Sequence, residues 1–225
     1  MRNLSILASI LAVSLVFASQ ALAVNGYLGG SLGVTIPQDS TLSDSLGEFA
    51  TVKNDVGPMM TLFGGADFGF LRLEGEFGFL SSNVSSINAA PGVHFDSIYG
   101  PVTTINPDVN VSVFTGMMNA WFDFKNKSRV TPYIGGGIGF AYVYVGDTWG
   151  NDHYYDYNYY NDDTVFAWQV GGGVAIRLIP NLDLDLGYRY LAADNLNLNY
   201  FYWGPQDKTS FTSSNVTVGI RYTFR

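Results

Sequence analysis

From Val24 onward, apolar and polar positions alternate with a period of two. The pattern is cleanest between Leu71 and Phe79, where Leu71, Leu73, Gly75, Phe77 and Phe79 share one face and Arg72, Glu74, Glu76 and Gly78 the other. It recurs between Leu182 and Tyr190, with Leu182, Leu184, Leu186, Tyr188 and Tyr190 opposed to Asp183, Asp185, Gly187 and Arg189. Successive side chains of an extended strand point to opposite sides of the sheet, so strict alternation predicts strands with one apolar and one polar face. Eight are expected: Tyr27 to Ile36, Met59 to Phe68, Leu71 to Leu80, Val109 to Asp123, Val130 to Val145, Val165 to Leu178, Leu182 to Leu191 and Phe211 to Phe224.

The connections alternate in length. Pro37 to Pro58, Ser81 to Asp108, Gly146 to Thr164 and Ala192 to Ser210 are long, whereas Gly69-Phe70, Phe124 to Arg129 and Ile179-Pro180-Asn181 are tight. Short turns at one end and long loops at the other are the rhythm of a barrel that crosses an outer membrane, with the turns in the periplasm. Aromatic placement is an independent test against a soluble sandwich, which has no reason to sort aromatics by depth. Phe77, Phe79, Phe140, Tyr142, Tyr144, Phe166, Trp168, Tyr188 and Tyr190 fall toward the long-loop end, and Phe68, Phe122, Phe124, Tyr222 and Phe224 toward the short-turn end. Two such girdles mark the two membrane interfaces. The expected fold is therefore all-β, an eight-stranded antiparallel transmembrane β-barrel. A ten-strand variant stays open, because Ser81 to Asp108 is long enough to hold a hairpin.

The N-terminus reads differently. Met1-Arg2-Asn3 is a short basic region, Leu4 to Phe17 is apolar, and Ala21-Leu22-Ala23 is a small-x-small cleavage site. This predicts a signal peptide over 1–23, cleaved after Ala23, and a barrel domain over 24–225. Composition agrees with export into a membrane. Of 225 residues only 13% are charged while 16% are aromatic, against roughly 25% charged in soluble domains. There is no cysteine, which excludes disulfides, thiolate metal sites and a cysteine nucleophile. The net charge is −8 with 11 basic residues, too few to form the cationic stripe nucleic acid requires. Two histidines, His94 and His153, cannot build a three-histidine zinc site. No metal or cofactor is expected.

With apolar positions facing lipid, Asp67, Arg72, Glu74, Glu76, Asp123, Arg177, Asp183, Asp185, Arg189 and Arg221 point into the lumen. Gly135, Gly137, Gly139 and Ala141, and Gln169, Gly171, Gly173 and Ala175, line the same interior and make room. An eight-strand lumen is about wide enough for its own side chains, so the charges must pair or hold water. A two-residue turn at Gly69-Phe70 sets Asp67 opposite Arg72. A three-residue turn at Ile179-Pro180-Asn181 sets Leu178 against Leu182 and Arg177 against Asp183, and Arg221 lies at the depth of Asp185. The expected outcome is an ion-pair plug; a narrow path for ions or small solutes is the alternative.

Thr131 to Ala141, the run Pro180 to Tyr190, and the ending Val218-Gly219-Ile220-Arg221-Tyr222-Thr223-Phe224 resemble the opacity-type outer-membrane β-barrel family of Gram-negative bacteria, which includes opacity porins and related surface antigens. The resemblance implies an eight-stranded barrel surrounded by outer-membrane lipid and inserted by the barrel assembly machinery. It brings no catalytic residues. Chains of this type usually finish on an aromatic residue, whereas Arg225 follows Phe224 here.

Enzymes do occur among small outer-membrane barrels, acting on lipid A or peptides. His94 and His153 fall in loops and lack the rigid support that catalysis requires, so no enzymatic activity is expected. The external loops are richer in signal. Trp149, Tyr154, Tyr155, Tyr157, Tyr159 and Tyr160 sit among Asp147, Asp152, Asp156, Asp162 and Asp163, and Tyr202-Trp203 lie in the last loop. Tyrosine offers large contact area at low entropic cost, which makes these residues candidates for binding a host, matrix or neighbouring-cell component. The alternative is a solvated loop on a monomeric barrel with a structural role in the envelope.

Overall fold

The computed structural model describes residues 24–44, 47–93, 101–106, 109–147, 160–197 and 208–224. Every regular element among them is a strand: β1 (Asn25–Pro37), β2 (Ser40–Asp44), β3 (Gly47–Asn54), β4 (Gly57–Asp67), β5 (Leu71–Ala89), β6 (Thr104–Ile105), β7 (Val109–Asp123), β8 (Val130–Asp147), β9 (Tyr160–Ile179), β10 (Leu182–Asn197) and β11 (Lys208–Thr223). Antiparallel pairing runs β1–β4–β5–β7–β8–β9–β10–β11 and returns to β1. The sheet closes on itself as an eight-stranded barrel.

The other three strands add no staves. β2 continues β1 and β3 continues β4, so the first long connection is the β1–β4 hairpin carried upward, with β3 pairing along the top of β5. β6 continues β7 against β5 at Ile87 and Asn88. The extra hairpin thus falls in Pro37 to Pro58 rather than in Ser81 to Asp108, and the barrel keeps eight strands. Three further connections are shorter than the alternation indicates, because β5, β8, β9, β10 and β11 run on past the expected strand ends.

The tight turn at Gly69-Phe70 has an identifiable cause. Gly69 has φ of 97°, a left-handed conformation open to glycine. Phe68 N donates to Leu71 O at 2.8 Å, and Gly69 N donates to Asp67 Oδ1 at 2.7 Å. At Ile179-Pro180-Asn181 the turn is one residue shorter than expected. Ile179, not Leu178, pairs with Leu182, and a register shift after Leu182 restores Arg177 opposite Asp183.

The lower and upper parts of the barrel are patterned oppositely. In the lower part Leu62 is 70% exposed while Arg72 and Glu74 are each 3% exposed, so apolar side chains face out and polar ones mostly in. Aromatics bound the outward apolar band. The Phe79 and Phe114 rings meet at 4.9 Å, and those of Trp168 and Tyr190 at 5.8 Å, at its upper edge. Tyr222 and Phe224 meet at 5.2 Å at its lower edge. Above the upper girdle the faces exchange character without a change of phase. Ser81, Asn83, Asn110 and Ser112 now lie on the outside, with Asn110 Nδ2 donating to Ser81 Oγ at 3.1 Å and to Asn83 Oδ1 at 3.0 Å. Inside, Met59, Leu80, Val84, Val109, Val113, Met117, Val143, Val145, Leu191 and Leu196 form one buried apolar cluster. A bilayer needs only about 9–11 residues per tilted strand, whereas β5 has 19 and β9 has 20. The surplus stands above the membrane, where water reverses which face must be polar.

Candidate functional site

The lumen is built in layers from the short-turn end upward. At the mouth, Asn25, Asp67, Asp123, Lys125, Thr131, Arg177, Asp183, Arg221 and Thr223 line a polar cavity of about 170 Å³. Lys125 Nζ lies 3.2 Å from both oxygens of Asp67. Arg177 Nε reaches Asp183 Oδ1 at 3.4 Å, and Arg221 Nη2 reaches Asp183 Oδ2 at 3.1 Å. One level higher, Arg72 Nε contacts both oxygens of buried Asp123 at 2.9 and 3.1 Å. Its guanidinium stands over the Tyr133 ring at 4.9 Å. The Tyr133 hydroxyl donates to Asp185, which also lies 3.8 Å from Arg221 Nη1.

Glu74 occupies the centre of the barrel with no cationic hydrogen-bond partner among the described residues. Instead it accepts from Tyr27 Oη at 3.1 Å, Asn119 Nδ2 at 3.2 Å and Trp121 Nε1 at 2.9 Å. Above it Arg189 and Glu76 form a buried ion pair. Gln169 Nε2 donates to Glu76 Oε1 at 3.2 Å and to Asn119 Oδ1 at 2.7 Å, linking the two layers. Directly above this layer the interior becomes the apolar cluster of Met117, Val113, Leu80 and Met59. Buried charge is costly unless paired or hydrogen-bonded; the other lumenal carboxylates meet cations, and Glu74 is held by three neutral donors.

Asp67 and Arg72 are opposite in register, yet they do not pair with each other. The Gly69 turn holds Asp67 at the mouth within reach of Lys125. Arg72 reaches across to β7 and meets Asp123, two residues nearer the short-turn end than its register partner Trp121. Diagonal neighbours on one face are close enough for long side chains to meet. Sequence reasoning missed Tyr27, Asn119, Trp121 and Tyr133 as partners of the lumenal charges. The available signal was the glycines facing them: a Cβ at Gly173 would sit 2.6 Å from Tyr133 Oη, and one at Gly137 would sit 2.0 Å from Asn119 Oδ1.

The loop candidates Trp149, Tyr154, Tyr155, Tyr157, Tyr159, Tyr202 and Trp203 lie outside the described residues, as do His94 and His153. Tyr160 opens β9, with its backbone opposite Gly146. Among the described residues no group of three His, Cys, Asp or Glu side chains is placed to hold a metal ion.

A closed ring of eight antiparallel strands, apolar outside between two aromatic girdles and charged within, defines a transmembrane barrel of the outer-membrane class. The chain belongs to the outer membrane protein beta-barrel domain family, whose model matches residues 5–224. It is 35% identical over 137 residues to an uncharacterized protein of Brucella abortus (strain 2308), covering 51% of this chain and 48% of that one. Outer membrane protein PagN of Salmonella typhimurium is 26% identical over 137 residues, covering 56% of each chain. An opacity protein of Neisseria gonorrhoeae, opA57, is 26% identical over 135 residues, covering 48% of this chain and 50% of that one. The chain thus spans about half the length of the curated relatives it matches. Among solved structures, Neisserial surface protein A superposes with a TM-score of 0.54 at 18% identity, covering 88% of this chain and 97% of that one. OprG of Pseudomonas aeruginosa gives 0.54 at 12% identity, covering 89% and 96%. Both likenesses concern the fold.

Proposed function

We propose that this protein is a non-enzymatic, monomeric surface scaffold of the outer membrane that binds a host, matrix or neighbouring-cell component through its external loops. The observation that carries this reading is the double closure of the lumen. Ion pairs fill its lower half, and a buried apolar cluster beside the buried polar side chains of Thr35, Thr61, Thr115, Ser213 and Asn215 fills its upper half, which leaves the outer surface as the place for function. The raised strand ends form a rigid collar, and binding residues tend to sit on loops held by rigid scaffolds. The likeness to opacity proteins supports the same reading. On this account residues 1–23 are the signal peptide, cleaved after Ala23, the barrel assembly machinery inserts the remainder, and neither cofactor nor nucleic acid is engaged. The aromatic and acidic segment 148–159 is the first binding candidate, joined by Tyr160, Tyr202 and Trp203.

The test replaces 148–159 with a Gly-Ser linker, sparing the paired residues Asp147 and Tyr160. Cells carrying the variant should lose adhesion while keeping detergent resistance and the gel mobility of a folded barrel. Unchanged adhesion with a folded barrel would remove this loop from the proposal and favour a purely structural role in the envelope.

A further inference from the structure

Charge is divided between the two ends of the chain's connections. The four long ones, Pro37 to Pro58, Ser81 to Asp108, Gly146 to Thr164 and Ala192 to Ser210, carry thirteen acidic residues and two lysines. The three short ones carry Lys125, Lys127 and Arg129 and no acid. All three cations fall in the turn between β7 and β8.

That turn is pinned by its uncharged members. Asn126 Nδ2 donates to Val130 O at 2.9 Å and to Phe124 O at 3.3 Å, Ser128 N donates to Asn126 Oδ1 at 2.7 Å, and Val130 N donates to Ser128 Oγ at 3.1 Å. Arg177 N donates to Arg129 O at 2.8 Å, which ties the turn to β9. The charged residues alternate with these and are exposed. Lys125 is taken by Asp67. The other acids at this end are also committed, Asp123 to Arg72 and Asp183 to Arg177 and Arg221. Lys127 and Arg129 have no ion-pair partner among the described residues, so the barrel's own neutralisation does not account for them.

Depth identifies what they meet. Phe124 directly precedes the turn and belongs, with Phe122, Tyr222 and Phe224, to the lower aromatic girdle, and all four are exposed. Such girdles sit at headgroup level. A pair of cations on this pinned turn, adjoining the girdle, lies at the depth of lipid phosphates, closer than the cell wall beneath. We propose that the β7–β8 turn is a docking surface for anionic phospholipid headgroups of the periplasmic leaflet, with Lys127 and Arg129 as the contacting cations. The interaction would anchor the barrel at fixed depth, with its acidic loops turned outward.

The probe is lipid quenching in bilayers. A Phe124→Trp reporter in the full chain, reconstituted in phosphatidylcholine with brominated phosphatidylglycerol or brominated phosphatidylcholine, measures which headgroup gathers at the turn. Anionic lipid should be preferred, and the preference should fall roughly fivefold per cation removed in Lys127→Gln and Arg129→Gln. The charge-keeping pair Lys127→Arg with Arg129→Lys should retain it, and a boiled-versus-unboiled gel shift confirms that each variant is folded. Equal quenching by both lipids, or a preference that survives in the folded double Gln variant, overturns the proposal. So does loss of sedimentation with purified peptidoglycan while lipid preference is unchanged, since the turn would then be a cell-wall contact.

Discussion

Arg72 concentrates the energetics of the lumen in one side chain. It is 3% exposed, chelates Asp123 through Nε, and lies over both Tyr27 and Tyr133. Removing one partner of a buried ion pair leaves an uncompensated charge and costs about 3–5 kcal/mol. Arg72→Ala should therefore lower the unfolding stability of the detergent-refolded barrel by that amount in a urea titration. The double change Arg72→Met with Asp123→Leu should recover most of the loss, because neither charge then remains buried. The glycines beside these groups act through volume. Gly173 leaves room for the Tyr133 hydroxyl to reach Asp185, as Gly135 does for Trp121.

At the scale of the strand, the notable feature is that an unbroken ladder changes its interior from polar to apolar. β5 presents Arg72, Glu74 and Glu76 to the lumen, then Leu80 and Val84 on the same face above them. β8 likewise turns Ala141, Val143 and Val145 inward. The upper segments are thus held together as a small water-soluble barrel would be, by burial of apolar side chains. Val143→Asn would place an amide without a partner in that cluster, at a cost of about 1–3 kcal/mol. Limited proteolysis of intact cells should then cut the strand tips faster, while the membrane-embedded part keeps its heat-dependent gel shift.

For the whole molecule, the two halves of the lumen act in series. An ion entering from the short-turn end meets the Asp67, Asp183 and Arg177 mouth, then the Arg72–Asp123 and Arg189–Glu76 pairs. Beyond them it would face the apolar cluster of Met59, Leu80, Val113 and Met117, packed beside buried Thr61, Thr115 and Asn215, and hydrophobic constrictions block passage by excluding water. Planar-bilayer recording should show no steady conductance for the parent, for Arg72→Ala or for Arg189→Ala. Conductance should appear only when a lumenal arginine and the seal are changed together, as in Arg72→Ala with Val113→Ser and Met117→Ser. A stable pore from either single arginine variant would show that the apolar layer does not seal the lumen.

The amino-acid sequence by itself determined the eight staves, the alternation of long and short connections, the two aromatic girdles and which charges turn inward. All of these follow from a period of two read against lipid, and lipid imposes the same rule at every residue it touches. Only the tertiary structure decided the rest. Asp67 and Arg72 are opposite along the ladder but choose Lys125 and Asp123, because side-chain reach across a closed interior depends on curvature and on strands distant in sequence. Glu74 gathers Tyr27, Asn119 and Trp121 from two other strands, an arrangement no local pattern encodes. The segment Ser81 to Ala89 looks like loop because its polar and apolar faces are reversed from those of the membrane band. The pairing of this segment with β3 and β6 places it in water above the bilayer, where that reversed pattern is the one a strand requires.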